Sequence, residues 1–176
     1  MTAEPRYSAT RRRFLARSVA AGGLLCAPAV LRGQGGAAWR PYFPDLGRGA
    51  ILCDTASRRL SVWSVGGAVH RAYPVTLGPE PIRTGRSEIA ARIAGPSWAP
   101  SPAMRRRHPD WPGFVPPGPG NPLGRHALYL SWRFHRIHGR PRHGAPSPPA
   151  GCIALCDAAM AELFALTGEG MPVVLV

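Results

Sequence analysis

Residues 50–77 read AILCDTASRRLSVWSVGGAVHRAYPVTL. The stretch opens with the apolar run Ala50-Ile51-Leu52-Cys53. In a second run, residues 59–65, Leu60, Val62 and Ser64 alternate with Ser61, Trp63 and Val65. Gly66-Gly67 then separates this run from a third, residues 68–77. Side chains alternate across a strand with period two, and paired glycines supply the backbone freedom a tight hairpin needs. The three runs predict an opening β-meander.

Residues 79–123 carry most of the 21 prolines, and within them residues 88–93 predict a further strand. Arg105-Arg106-Arg107 reads as a solvated loop. Residues 126–132 are nearly all apolar, as in a strand buried on both faces. They lead through Phe134 and Ile137 into His138-Gly139. The period changes only near the C-terminus. Asp157 can cap a helix over residues 158–166, with Met160, Leu163 and Phe164 on one stripe. Thr167-Gly168-Glu169-Gly170 ends that helix, and residues 172–176 form a closing strand. The expected fold is mostly β, a β-sandwich of two packed sheets with one or two short helices.

The chain of 176 residues is long enough for one domain with a real core. Its formal charge is +13, and all 22 basic residues are Arg. The absence of Lys excludes a Lys base, a Schiff base and a P-loop Lys. A basic body is drawn to polyanions; a wall polymer with free peptide carboxylates and a nucleic acid both qualify, and a merely solvated surface fits equally well. No nucleic-acid partner is expected, because aromatic residues are not interleaved with the arginines as a stacking platform requires.

Thr10-Arg11-Arg12-Arg13-Phe14-Leu15 fits the twin-arginine export pattern. The apolar run that follows, residues 18–31, is too short to span a bilayer comfortably, and Ala27-Pro28-Ala29 supplies small residues for cleavage. Residues 1–29 therefore read as a signal peptide, 30–48 as a linker and 49–176 as the functional domain, delivered to the periplasm or cell envelope. Leu25 is too bulky for lipoprotein processing at Cys26, so no membrane anchor is expected after cleavage.

Cys53, Cys152 and Cys156 remain once the signal is removed. Cys53 sits in an apolar strand and reads as a small buried hydrophobe. Cys152 follows Gly151 and precedes the helix by a few residues. A thiol there can have its pKa lowered by the helix's positive end and by a nearby imidazole. The glycine lets backbone N–H groups approach a reacting carbonyl. His138, at a strand end, is a rigidly mounted candidate base. His135, His138, His143, Cys152 and Cys156 could instead be read as a zinc cluster, but their spacings match no common zinc module. No metal or other cofactor is expected.

Several segments, in order, resemble the L,D-transpeptidase (YkuD-type) catalytic domain. They are the hairpin opening that ends Pro74-Val75-Thr76-Leu77-Gly78, then Thr84-Gly85, the run Pro116-Pro117-Gly118-Pro119-Gly120-Asn121-Pro122-Leu123-Gly124, Ile137-His138-Gly139, and Gly151-Cys152-Ile153 followed by an acidic helix start and a Pro-Val-Val strand. The resemblance covers about residues 49–176. It implies that Cys152 attacks the carbonyl after the third residue of a peptidoglycan stem peptide. The terminal D-amino acid leaves, and the thioester passes to an amine on another stem. It further implies His138 as base, the Gly139 carbonyl as its orienter, and the N–H groups of Gly151 and Cys152 as oxyanion donors.

The family usually reads Ser-His-Gly-Cys-Ile-Arg, where this chain has Pro149-Ala150-Gly151-Cys152-Ile153-Ala154. A hydrolytic or impaired relative, an L,D-carboxypeptidase or a non-catalytic peptidoglycan binder, is the alternative these departures leave open. With Ala154 in the Arg position, one of Arg140 and Arg142 is expected to replace that anchor and bind the substrate carboxylate.

Overall fold

The computed structural model describes residues 38–78, 81–140 and 151–176. The expected signal peptide, the first part of the expected linker, Arg142 and His143 lie outside the described residues.

The meander forms as the alternation requires. Strands β1 (Ala50–Asp54), β2 (Arg59–Trp63) and β3 (His70–Pro74) pair antiparallel, with Ile51 opposite Val62 and Leu60 opposite Tyr73. Between β2 and β3 the glycine pair adopts left-handed backbone, Gly66 at φ 70° and Gly67 at φ 75°. A side chain at Gly67 would also press on Leu46, with Cβ 2.8 Å from its Cδ1. Leu60 and Val62 point into the core, but Trp63, on the other face, is buried as well. It packs with Phe43, Leu46, Ala50 and Val174. Residues 39–46, within the stretch read as linker, thus cover the outer face of this meander.

The chain continues through β4 (Thr76–Leu77), β5 (Gly85–Ala94), α1 (Pro102–Arg107), β6 (His126–Leu130), β7 (Arg136–Arg140), β8 (Cys152–Cys156), α2 (Asp157–Leu166) and β9 (Pro172–Leu175). The strand order is β3-β2-β1-β9-β5-β6-β7-β8-β4. Strand β5 belongs to both halves: Gly85 to Glu88 pair with β9, and Ile89 to Ala94 pair with β6 across a register shift. The sheet therefore folds over at β5, and its halves face each other. The two edge strands, β3 and β4, are separated in the chain by Val75 alone, so the two ends of the sheet are joined through a single residue.

One apolar core joins the halves. Ile51, Leu60, Val62 and Tyr73 come from one side; Leu128, Ile137, Ile153 and Leu155 come from the other. Helix α2 adds Ala159, Met160 and Leu163. Its cap differs from the expected one. Cys156 is the N-cap residue and makes no side-chain cap bond, while Asp157 is the first helical residue, its acid set at the positive end of the helix. The arginine run read as a loop is helix α1, opened by Pro102 and capped by Ser101, whose hydroxyl accepts from Met104 N–H at 3.3 Å.

Candidate active site

Strands β7 and β8 lie side by side and parallel, with Arg136 opposite Cys152, Ile137 opposite Ile153 and His138 opposite Ala154. Faces alternate along each strand. Ile137, Ile153 and Leu155 fill the core, so Arg136, His138, Cys152 and Ala154 share the opposite face. Cys152 and His138 are diagonal neighbours on one face of the strand pair, and no hydrogen bond joins the thiol to the imidazole. His138 stands at the centre of β7, not at its end.

His138 is 1% exposed. Its Nδ1 lies 2.6 Å from the Gly139 carbonyl oxygen. A carbonyl only accepts, so Nδ1 carries the proton and Nε2 presents its lone pair. Nε2 is buried and has no hydrogen-bond partner among the described residues, where buried polar atoms are ordinarily satisfied. The imidazole is thus held as a neutral base with its accepting nitrogen unoccupied.

Close packing fixes the Gly139 carbonyl. A side chain at Gly139 or at Gly124 would collide with the Asp157 carboxylate, and at Gly124 it would also meet the Gly139 backbone at 2.8 Å. Gly124 needs its left-handed φ of 67° as well. The proline-rich segment that carries Gly124 is tied down by Asn121, which is fully buried. Its amide nitrogen donates to the carbonyls of Pro96 (2.8 Å), Pro116 (3.1 Å) and Val115 (3.2 Å), and its oxygen accepts from Leu123 N–H at 2.9 Å. Asn121 and Asp157 support the site at a distance. The sequence signal for Asn121 was its place between prolines and glycines in an otherwise apolar run.

Burial sets the protonation states. It pushes the Cys152 thiol up to about 11, against the pull of the Arg136 guanidinium. Burial also holds His138 down to about 4; the Gly139 hydrogen bond opposes this, and Arg136 and Arg140 reinforce it. The expected lowering of the thiol by a helix end does not occur, because the whole of β8 separates Cys152 from α2. Both shifts favour the neutral thiol and the neutral imidazole in the resting site.

Cys152 borders a cavity of about 640 Å³. Trp98, Pro100, Met104 and Phe134 supply apolar walls, and Arg106, Arg107 and Arg136 supply charge. Arg106 and Arg107 of α1 therefore share a cavity with the thiol. Arg140, half-buried at the end of β7, is not among the lining residues, and Arg142 lies outside the described residues. Gly151, just before the thiol, has φ 76°, and a Cβ there would come 3.2 Å from the Phe134 carbonyl oxygen; only glycine suits the position. Among the described residues no three His, Cys, Asp or Glu side chains converge as a metal site. Arg136 was missed by sequence reasoning, although it stands two residues before His138 and so on the same strand face.

The family model described as the L,D-transpeptidase catalytic domain (YkuD) matches residues 48–175. A Fuscovulum blasticum protein named as an L,D-transpeptidase in the ATP synthase subunits region is 42% identical over 137 residues, which cover 76% of this chain and 72% of that one. The Escherichia coli K12 protein named as L,D-transpeptidase ErfK/SrfK is 32% identical over 103 residues, 54% of this chain and 33% of that one; the match spans only a third of that relative's length. In fold, the chain is similar to the crystal structure of Mycobacterium tuberculosis L,D-transpeptidase 1, with a TM-score of 0.51 at 18% identity, covering 73% of this chain and 61% of that one.

Proposed function

The chain belongs to the L,D-transpeptidase (YkuD) catalytic-domain family, and from that premise we propose that it is an exported enzyme using Cys152 to carry acyl groups between peptidoglycan stem peptides. The observation that carries this reading is the His138 ring, its Nδ1 tied to the Gly139 carbonyl and its Nε2 without a partner among the described residues, on the same strand face as a cavity-lining thiol.

The reaction begins from neutral groups. As the sulfur of Cys152 adds to the carbonyl carbon after the third stem residue, its proton passes to His138 Nε2. The N–H groups of Gly151 and Cys152 receive the oxyanion. Collapse breaks the carbon–nitrogen bond, and the imidazolium returns its proton to the leaving amine. Burial disfavours the charged imidazolium, which favours that return. The terminal D-amino acid departs and leaves a thioester. An amine on a second stem then attacks; its proton goes to His138 and on to the departing sulfur, restoring the thiol.

The twin-arginine pattern at residues 10–15 supports export to the periplasm or envelope, where this polymer lies. Ala154 lies opposite His138 on the face that carries Cys152, so its departure from the family's Arg bears on substrate selection and on the balance of transfer and hydrolysis. The test is chromatography of purified disaccharide-tetrapeptide incubated with the protein. Released D-amino acid with a cross-linked dimer supports transfer, whereas release with a free tripeptide stem marks hydrolysis instead. No release by the parent, or equal release by Cys152→Ala, overturns the proposal.

A further inference from the structure

We propose that Arg136 is the donor-specificity residue of this site, binding the free carboxylate of a one-residue leaving group; this rests on the acyl-transfer reading above. Arg136 lies directly opposite Cys152 in the β7–β8 register, and both residues line the same cavity. Its guanidinium carbon is 5.1 Å from the centroid of the Tyr129 ring, which holds the side chain in place. Its Nε is buried without a hydrogen-bond partner among the described residues. Among the described residues no carboxylate lies within ion-pair distance of it, whereas Arg71 pairs with Glu162 at 2.9 Å. Among the described residues no acidic side chain lines the cavity. A half-buried cation with donors to spare is thus aimed into the space beside the thiol.

The geometry of a peptide end supplies the matching anion. When a single residue leaves, its carboxylate carbon is only three bonds from the carbon the sulfur attacks. A guanidinium flanking the sulfur then meets that carboxylate, and its planar fork suits it. If two residues leave, the carboxylate moves outward by roughly 3.5 Å, and the amide in its place offers no charge. The cavity therefore selects stems that end one residue beyond the scissile bond.

The test measures binding in the Cys152→Ala protein, where no acylation intervenes. A tetrapeptide stem is compared with the same stem amidated at its C-terminus. The free acid is expected to bind about 10- to 100-fold more tightly, the range of a charge-assisted hydrogen bond. Adding Arg136→Gln should abolish that preference, and adding Arg136→Lys should keep part of it. A purely structural role for Arg136 would weaken both ligands alike. Equal binding of acid and amide with Arg136 in place overturns the proposal, as does a preference that survives Arg136→Gln or disappears instead with Arg106→Gln or Arg140→Gln. If the preference behaves as expected but the Cys152 protein forms no thioester, the carboxylate site stands and the acyl-transfer reading fails.

Discussion

Lowering the pH from 7 to 4 tests His138 as a buried neutral base. In the unfolded chain its imidazole takes up a proton near the ordinary 6.5; in the folded protein it does so only near 4, chiefly because of burial. Between those values the unfolded chain binds a proton that the folded protein refuses. Stability is then full above 6.5, falls as the pH falls, and levels off below about 4. At about 1.36 kcal/mol per pH unit, the loss approaches about 3 kcal/mol, a large part of the roughly 5–15 kcal/mol that holds a typical domain together. The assay is urea unfolding at pH 7, 6, 5 and 4 for the parent and for His138→Gln, which cannot titrate. Burial also holds His70 below its ordinary value, but that contribution is common to both proteins and cancels in the difference. The thiols of Cys53 and Cys152 titrate far above this window. The parent should lose about 3 kcal/mol more than the variant. Parallel curves would show that His138 is not held neutral by burial, and the resting thiol–imidazole pair would fall with that result.

Three further outcomes follow from the packing. The acid limb of acylation by an amidated stem, which has no C-terminal carboxylate to titrate, should have its midpoint well below 6.5 and near the His138 value of about 4; a limb at 6.5 in stopped-flow rates contradicts that assignment. Gly139→Ala should cost about 1–3 kcal/mol in denaturant unfolding through collision with the Asp157 carboxylate, and adding Asp157→Ala should recover part of it. Asn121→Ala strips donors from three carbonyls and an acceptor from Leu123 N–H, so its chemical-denaturation midpoint should drop by the equivalent of about 2–3 kcal/mol.

The meander was legible because its alternation and glycine pair are local signals. So was α2, whose apolar stripe at Met160 and Leu163 is buried. Strand β5 extends beyond the expected residues 88–93 at both ends, where exposed positions and the lack of a clean alternation leave no strand signal in the sequence. That one strand serves both halves of the sheet is a matter of pairing partners far apart in the chain, which no local pattern encodes. Helix α1 was hidden by three consecutive arginines that mimic a solvated loop, although Ser101-Pro102 spelled its start. Arg136 could have been placed beside the site by period two from His138. The direction of the thiol's pKa could not, because it depends on burial by segments distant in sequence.

The most direct test of the central claim is intact-protein mass spectrometry after brief incubation with disaccharide-tetrapeptide, followed by peptide mapping. The account predicts a mass gain equal to the donor less its terminal D-amino acid, confined to the peptide containing Cys152, absent in Cys152→Ala and strongly slowed in His138→Gln. An adduct mapping to Cys53, or no adduct while the donor is nonetheless consumed by Cys152→Ala, would contradict it.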